Sequence, residues 1–186
     1  MKNNKKPKNK IEVKFEYLDQ YDYHGGALTP EREKKYAFLI GTFLMDFSDL
    51  ERTLDIEIAN LISDRSHDEG YIIIKNLKFS AKRELFYDLF FPRIFYAKKK
   101  KENANQLKLI RKKLEALATL RNKIAHAKWY TLDKEGYVRV DVNTNKDNGL
   151  IRFKRFKITP TIIKNGIKEI EKLNKKLPDL NENIQY

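Results

Sequence analysis

The chain has no cysteine, and proline, glycine and tryptophan are all scarce. The absence of cysteine excludes disulfide bonds and thiolate metal sites, and it leaves the redox state of the protein's compartment open. No stretch approaches the roughly 18 consecutive apolar residues that a membrane-spanning helix needs. Only three histidines occur and the carboxylates form no obvious metal cluster in the sequence, so we expect no metal and no other cofactor.

The N-terminal segment MKNNKKPKNK is basic, but no apolar run follows it. It therefore lacks the pattern of a secretory signal, and we expect a cytoplasmic protein without membrane association. Its composition predicts a disordered basic arm over residues 1–10. A membrane-surface role for this arm is the weakest function considered, because the arm lacks the aromatic anchors of an amphipathic membrane helix.

The charge of the chain is strongly positive. Lys and Arg number 39 against 26 Asp and Glu, which gives a formal net charge of +13. Such a balance favours polyanionic partners, with RNA, DNA and anionic membranes as the candidates. A lysine-rich, solvated surface with no polyanion partner explains the same numbers equally well.

The most regular pattern in the sequence predicts a long amphipathic helix after residue 29. Thr29 is placed to cap its start, and Pro30 stands at the first helical position. Apolar residues then recur every three or four positions, as on the buried face of a helix: Leu39, Phe43, Phe47, Leu50, Leu54, Ile58 and Leu61. We expect this helix to end near the segment SDRSHDEG.

Two more helical patterns and a group of strands follow. FSAKRELFYDLFF predicts a second helix that Pro92 ends or kinks. Leu107, Ile110, Leu114 and Leu117 form the apolar stripe of a third helix. After His126 the period changes, and KWYTLDKEGYVRVDVN predicts a hairpin with its turn at residues 133–136, with a further strand in LIRFKRFKI.

Together these elements predict a mainly α fold. We expect an up-and-down helical bundle with a β-hairpin or small sheet before the last helix. Thr159 is placed to cap that helix, Pro160 stands at its first position, and Pro178 ends it. One domain over residues 11–180 accounts for all of these elements, with the β appendage at about 128–157 and a tail at 181–186.

An arginine stands where the third helix should continue its apolar stripe. The stripe steps by four from Leu117 to Arg121 and by three to Ile124, which places Arg121 in a core register. A buried guanidinium is costly unless acceptors surround it. Arg121 is therefore either an ion-pair partner of Glu51 on the first helix or a phosphate-binding group that lines a cleft.

Asn122 and His126 lie four residues apart on the same helix. This spacing puts both on one face, about 6 Å apart along the axis. The amide is placed to hydrogen-bond the imidazole and fix its tautomer. If the helix end frays, Arg121 and His126 can converge. An arginine and a histidine at such spacing also occur on many helices by accident.

The segment RNKIAHA resembles the motif of the higher eukaryotes and prokaryotes nucleotide-binding (HEPN) family. In that motif an Arg and a polar residue are followed by a His, and Arg121, Asn122 and His126 match these three positions. The helix FSDLERTLDIEIANLI is similar to the family's first long helix, with Glu51 where an acidic residue often stands. The resemblance covers the architecture of roughly residues 30–175.

The resemblance implies a homodimer in which two motifs face each other and form a composite active site. It implies a metal-independent endoribonuclease, acting as a toxin or an antiviral defence effector and paired with an antitoxin or another defence partner. Arg121, Asn122, His126 and Glu51 are then the catalytic set. The alternative is a catalytically inactive HEPN-like module that binds nucleic acid or serves as a scaffold.

Six basic residues are predicted to contact RNA outside the catalytic set. They are Lys123, Lys128, Arg139, Arg152, Lys154 and Arg155. An ordinary exposed sheet face explains the hairpin residues of this group equally well.

Overall fold

The computed structural model describes residues 15–19, 29–63 and 67–182. Within these ranges the chain forms five α-helices, a short 3-10 helix and three strands. In chain order they are β1 (Phe15–Asp19), α1 (Pro30–Ile62), α2 (His67–Ile74), α3 (Phe79–Ile94), α4 (Lys100–His126), the 3-10 helix (Trp129–Thr131), β2 (Tyr137–Thr144), β3 (Ile151–Lys157) and α5 (Pro160–Glu182). The predicted fold class, mainly α with a small antiparallel sheet before the last helix, is confirmed.

The long helix α1 forms as its sequence pattern predicts. The Thr29 hydroxyl accepts a hydrogen bond from the Arg32 amide at 3.4 Å, which satisfies one of the free N–H groups at the helix start. Every residue of the predicted apolar stripe is buried. The helix ends at Ile62, so α1 spans the length of the bundle and supplies one wall of its core.

The helices of the bundle pack around α1 and α4, which lie diagonally across it. Each of these two helices packs on both α3 and α5. Ion pairs reinforce the contacts of α4, with Arg111 bound to Glu84 of α3 and Lys113 bound to Glu169 of α5. Gly166 lets α5 come close, because a Cβ at this position would lie only 2.8 Å from the Phe43 ring.

The sheet has the order β1-β3-β2, and both of its pairings are antiparallel. The sheet therefore joins a strand that precedes α1 to the two strands between α4 and α5, since Phe15 of β1 pairs with Phe156 of β3. Val138 and Phe156 are fully buried and join the helical core. The rest of the sheet projects from the bundle beside the end of α4.

The turn predicted at residues 133–136 is present, with the Gly136 amide donating to the Asp133 carbonyl at 3.2 Å, but the strand predicted before it is wrong. Gly136 does turn the chain, with φ +92°, but residues 129–131 form a 3-10 helix and the hairpin joins β2 to β3 instead. Polar side chains explain the difference, because the Asp133 carboxylate accepts from the backbone amides of Glu135 and Tyr137 at 2.9 and 2.8 Å. These bonds satisfy the turn without a second strand.

Proline ends neither helix at the predicted position. α3 continues past Pro92 to Ile94, and α5 continues past Pro178 to Glu182, two residues into the expected tail. Ile94 and Leu180 are buried, so apolar packing holds the turns that contain or follow each proline. The predicted arm over residues 1–10 and the start of the domain at residues 11–14 lie outside the described residues.

Candidate site at the carboxyl end of α4

The buried face of α4 passes through Leu120 rather than through Arg121. Leu114, Leu117, Leu120 and Ile124 are all buried, whereas Arg121 is exposed. The predicted core register of Arg121 is therefore wrong. The buried stripe runs from Leu117 by three to Leu120 and then by four to Ile124. It therefore buries a leucine and leaves the Arg121 guanidinium in solvent.

Glu51 is not an ion-pair partner of Arg121 in the single chain. The ammonium of the buried Lys82 lies 3.2 Å from Glu51 Oε1 and 2.8 Å from Asp55 Oδ2. Burial acts to lower the pKa of Lys82, but its hydrogen bonds with Asp55 and Glu51 outweigh burial and raise that pKa. The Lys82 ammonium thus takes the place on Glu51 that was predicted for Arg121.

The position of Lys82 was visible in the sequence but was missed. Lys82, Phe86, Phe90 and Ile94 follow one another at intervals of four, and all four are buried. The signal was a lysine in phase with an apolar stripe, opposite two carboxylates of α1. Burial raises the carboxyl pKa of Asp55, although the hydrogen bond from Lys82 acts to lower it.

Arg121 is joined to Asn122. Arg121 Nη1 donates to Asn122 Oδ1 at 3.1 Å, and both residues are exposed. On its other side the guanidinium carbon lies 6.0 Å from the centre of the Phe47 ring, at the outer limit of a cation–π contact. These contacts orient the guanidinium while leaving it open to an anion.

His126 is the last residue of α4, and it is exposed on the same face as Asn122. The helix is continuous to His126, so the predicted convergence of Arg121 and His126 through a frayed end does not occur. Five residues along a regular helix turn the chain by about 140°. One copy of the chain therefore presents Arg121 and His126 on different sides of α4.

The segment after α4 holds the helix end in place. Trp129 Nε1 donates to the carbonyl oxygen of Ile124 at 2.9 Å, which satisfies one of the free carbonyls of the last turn. The Lys128 amide then donates to the carbonyl of Arg139 at 2.8 Å and ties the segment to β2. Trp129 thus packs against the end of α4, and it helps to fix the position of His126.

Two of the predicted RNA contacts are neutralised within the chain. Arg152 pairs with Asp19 at 2.9 Å. Arg155 pairs with Asp133 at 3.1 Å and with Glu16 at 3.4 Å. These arginines connect the strands of the sheet, so they offer less positive charge to an outside anion than the sequence suggested.

Three others lie against aromatic rings near the end of α4. The ammonium groups of Lys123 and Lys154 are 4.4 and 4.2 Å from the centre of the Phe15 ring. Burial and the neighbouring charge of Lys154 lower the pKa of Lys123. The Arg139 guanidinium lies 5.0 Å from the Phe153 ring and donates to the Tyr130 hydroxyl. This surface alternates cations and aromatic rings.

The structure thus gathers part of the predicted set. Arg121, Asn122, Lys123 and His126 occupy the last two turns of α4, and Lys128, which is exposed, follows them directly. Glu51 belongs instead to the contact between α1 and α3. Phe15, which lies in β1, was not among the predicted site residues.

Among the described residues, no group of three or more histidines and carboxylates is arranged to hold a metal ion. No helix in the described ranges combines the length and the hydropathy needed to cross a membrane.

Comparison with known proteins gives no relative for this chain. No family model, no curated protein and no solved structure matches it significantly.

Proposed function

We propose that the chain is a metal-independent endoribonuclease of the HEPN type, with Arg121, Asn122 and His126 in its active site. The observation that carries the proposal is the exposed end of α4, where Arg121 is hydrogen-bonded to Asn122 and His126 lies one turn beyond on the same face as Asn122. The segment RNKIAHA, which resembles the family motif, forms this end.

The reaction needs two proton transfers and one positive charge. The 2′-oxygen of the RNA attacks the adjacent phosphorus as a base removes the 2′-hydroxyl proton. The bond to the 5′-oxygen then breaks as an acid protonates that oxygen, which leaves a 2′,3′-cyclic phosphate and a 5′-hydroxyl. Histidine suits the proton transfers near neutral pH, and the guanidinium donates to the phosphate oxygens.

A homodimer supplies what one chain lacks. One histidine serves only one of the two proton roles at a time, and Arg121 and His126 of one chain diverge by about 140° around α4. Two α4 ends facing each other would let Arg121 of one chain and His126 of the other reach the same phosphate. Because Glu51 already pairs with Lys82, the RNA phosphate itself is the anion that would neutralise Arg121 in such a pair.

The test is an RNA cleavage assay on matched variants. We expect His126→Ala to lower the cleavage rate by about 100-fold or more, while His67→Ala, at an exposed histidine of α2, leaves it unchanged. Arg121→Ala should lower cleavage and RNA affinity together, and Asn122→Ala should have the mildest effect of the three. Equal rates for His126→Ala and the wild type would refute the proposal.

The second candidate is an RNA-binding module without catalysis, and the surface around Phe15 favours it. Phe15 and Tyr17 are 39% and 56% exposed beside Lys154, an arrangement suited to stacking bases and contacting phosphates. RNA that binds but is never cut would establish this function. Lys154→Ala should then reduce the salt dependence of binding by about one phosphate contact.

The cellular role that we propose is that of a toxin or antiviral defence effector held in check by a partner. Expression of the wild type should then arrest cell growth through loss of RNA, whereas expression of His126→Ala to the same level should not. Growth arrest by both proteins alike would separate toxicity from the proposed site.

A further inference from the structure

The outer face of α1 keeps two large apolar side chains in solvent. Phe38 and Met45 are each 74% exposed, and their spacing of seven puts them on one side of the helix, opposite the core. Gly41 lies between them, and a Cβ at this position would meet nothing within 4 Å. The middle of this face is therefore open to close approach by another backbone.

Charged residues flank this apolar centre in a symmetric order. Lys34 lies seven residues before Gly41, and Asp49 lies seven residues after Thr42. Glu31 lies ten before Gly41, and Arg52 ten after Thr42. All four flanking residues are exposed. Lys34 and Glu31 thus each have a residue of opposite charge at the same distance on the other side of the midpoint.

We infer that this face of α1 binds the same face of a second copy of the chain in an antiparallel, two-fold arrangement. In a two-fold interface, if residue i of one copy contacts residue j of the other, then residue j of the first copy also contacts residue i of the second. The midpoint between Gly41 and Thr42 satisfies this condition for the apolar pair and for both charged pairs. The pairing covers residues 31–52, about 32 Å of helix.

The contacts follow from the symmetry. Phe38 of each copy lies opposite Met45 of the other, since both stand three residues from the midpoint pair, and a thioether packs well against an aromatic ring. Lys34 meets Asp49 and Glu31 meets Arg52, and the Asp49–Arg52 pair that each chain already forms at 3.3 Å joins the two contacts into one network. The Thr42 hydroxyl already donates to the Phe38 carbonyl at 2.9 Å, so it needs no acceptor across the interface.

A parallel arrangement lacks this complementarity, because it would set each charged residue against its own copy. The charge distribution nearby agrees with the antiparallel one. Asp46, Asp49 and Glu171 form a local acidic group on a protein of net charge +13. In the antiparallel pair, Lys34 and Lys35 of the second copy approach this group.

The α1 interface goes beyond the proposed function and is separate from it. The core-facing side of α1 contacts the end of α4, with the Tyr36 ring 5.8 Å from the Trp129 ring, so the outer face of α1 points away from that end. Pairing through α1 leaves Arg121, Asn122 and His126 accessible. A chain that also pairs through α4 would form assemblies larger than a dimer.

The first experiment exchanges the charges at Lys34 and Asp49 and measures sedimentation over a concentration series at low salt. Lys34→Glu and Asp49→Lys should each raise the dimer dissociation constant by about tenfold, and the double variant should return it to near the wild-type value. A mixture of the two single variants should form the heterodimer. A monomeric wild type, or a double variant no better than the singles, would overturn the inference.

The second experiment uses the absence of cysteine from the chain. Thr42→Cys lies beside the proposed two-fold axis, and Ser80→Cys, at an exposed position of α3 outside both proposed surfaces, is the matched control. Under mild oxidation we expect the Thr42→Cys chains to cross-link and the Ser80→Cys chains not to. Cross-linking of Ser80→Cys to the same extent, or of neither variant, would overturn the α1 inference; RNA cleavage by the same samples tests the proposed function separately.

Discussion

Lys82 is the residue whose loss should most weaken the contact between α1 and α3. Its side chain is 7% exposed, while those of its partners Asp55 and Glu51 are 19% and 34% exposed. Removing one partner of a fully buried ion pair costs about 3–5 kcal/mol. Because these carboxylates keep some solvent, we expect Lys82→Met to lower the free energy of unfolding by about 2 kcal/mol.

Urea denaturation of Lys82→Met measures this loss, and Lys78→Met, at an exposed position one turn earlier, is the control. Since the pKa of Lys82 is raised in the folded state, its contribution is fully present below the ordinary lysine pKa of 10.5 and is lost only as the pH rises through the folded value. If Lys82→Met has no effect on the free energy of unfolding at pH 8, the ion-pair explanation is contradicted.

The surroundings of Asp46 in the folded chain disfavour the charged form of its carboxyl group. Burial raises its pKa above the ordinary 3.8, and the charges of Glu171 and Asp49 raise it further. The free-energy cost of holding the charged Asp46 carboxylate in the folded chain is therefore fully present above the folded pKa. It disappears as the pH falls below the pKa of the unfolded chain. We expect Asp46→Asn to stabilise the protein by about 0.5 kcal/mol at pH 7 and by almost nothing near pH 3.

Thermal denaturation at the two pH values measures this difference. Asp88→Asn, at an exposed carboxylate of α3, provides the comparison and should change little at either pH. A stabilisation by Asp46→Asn that grows as the pH falls would have the wrong sign for the proposed cause.

Arg121 shows where reasoning from residue spacing reached its limit. Steps of three and four both fit a helix, so the sequence allowed the stripe to pass through either Leu120 or Arg121. Burying the Leu120 side chain is more favourable than burying a guanidinium, so Arg121 remains in solvent. Asn122 and His126 do lie on one face, because their spacing of four places them there whichever face of the helix is buried.

At the scale of elements, the end of α4 depends on Trp129. Its indole N–H satisfies the Ile124 carbonyl, and its ring lies 5.8 Å from that of Tyr36. Trp129→Phe keeps most of the packing but removes the hydrogen bond, which contributes about 1 kcal/mol. We expect faster amide hydrogen exchange in residues 124–128 and slower RNA cleavage, with little change in the rest of α4.

Hydrogen exchange followed by mass spectrometry measures this local loosening. Tyr130→Phe, which removes an exposed hydroxyl near the same segment, is the control and should leave the exchange of α4 unchanged. Uniformly faster exchange across the bundle would indicate global destabilisation and would contradict a local role for Trp129.

The elements that the sequence predicted best are those set by local pattern. The apolar stripe and the Thr29 cap of α1 lie within one continuous segment, and the structure follows them closely. The sheet depends on distant contacts, since β1 pairs with β3 across more than a hundred residues. Periodicity cannot show such a pairing, so the role of Phe15 beside Lys123 and Lys154 was not predictable.

At the scale of the whole molecule, the bundle presents two separate working surfaces. The end of α4 carries the proposed active site beside the cations and aromatic rings of the sheet. The outer face of α1, on the other side of the core, carries the proposed self-association surface. Because core residues separate the two, variants on one surface should leave the function of the other intact.

The central claim is that His126 transfers protons during attack of the 2′-oxygen, and the ends of the cleaved RNA test it most directly. The RNA is incubated in EDTA with wild type or His126→Ala, and its ends are identified by mass spectrometry. The account predicts 2′,3′-cyclic phosphate and 5′-hydroxyl ends with the wild type and neither with His126→Ala. Cleavage that EDTA abolishes, that leaves 5′-phosphate ends, or that persists in His126→Ala would contradict it.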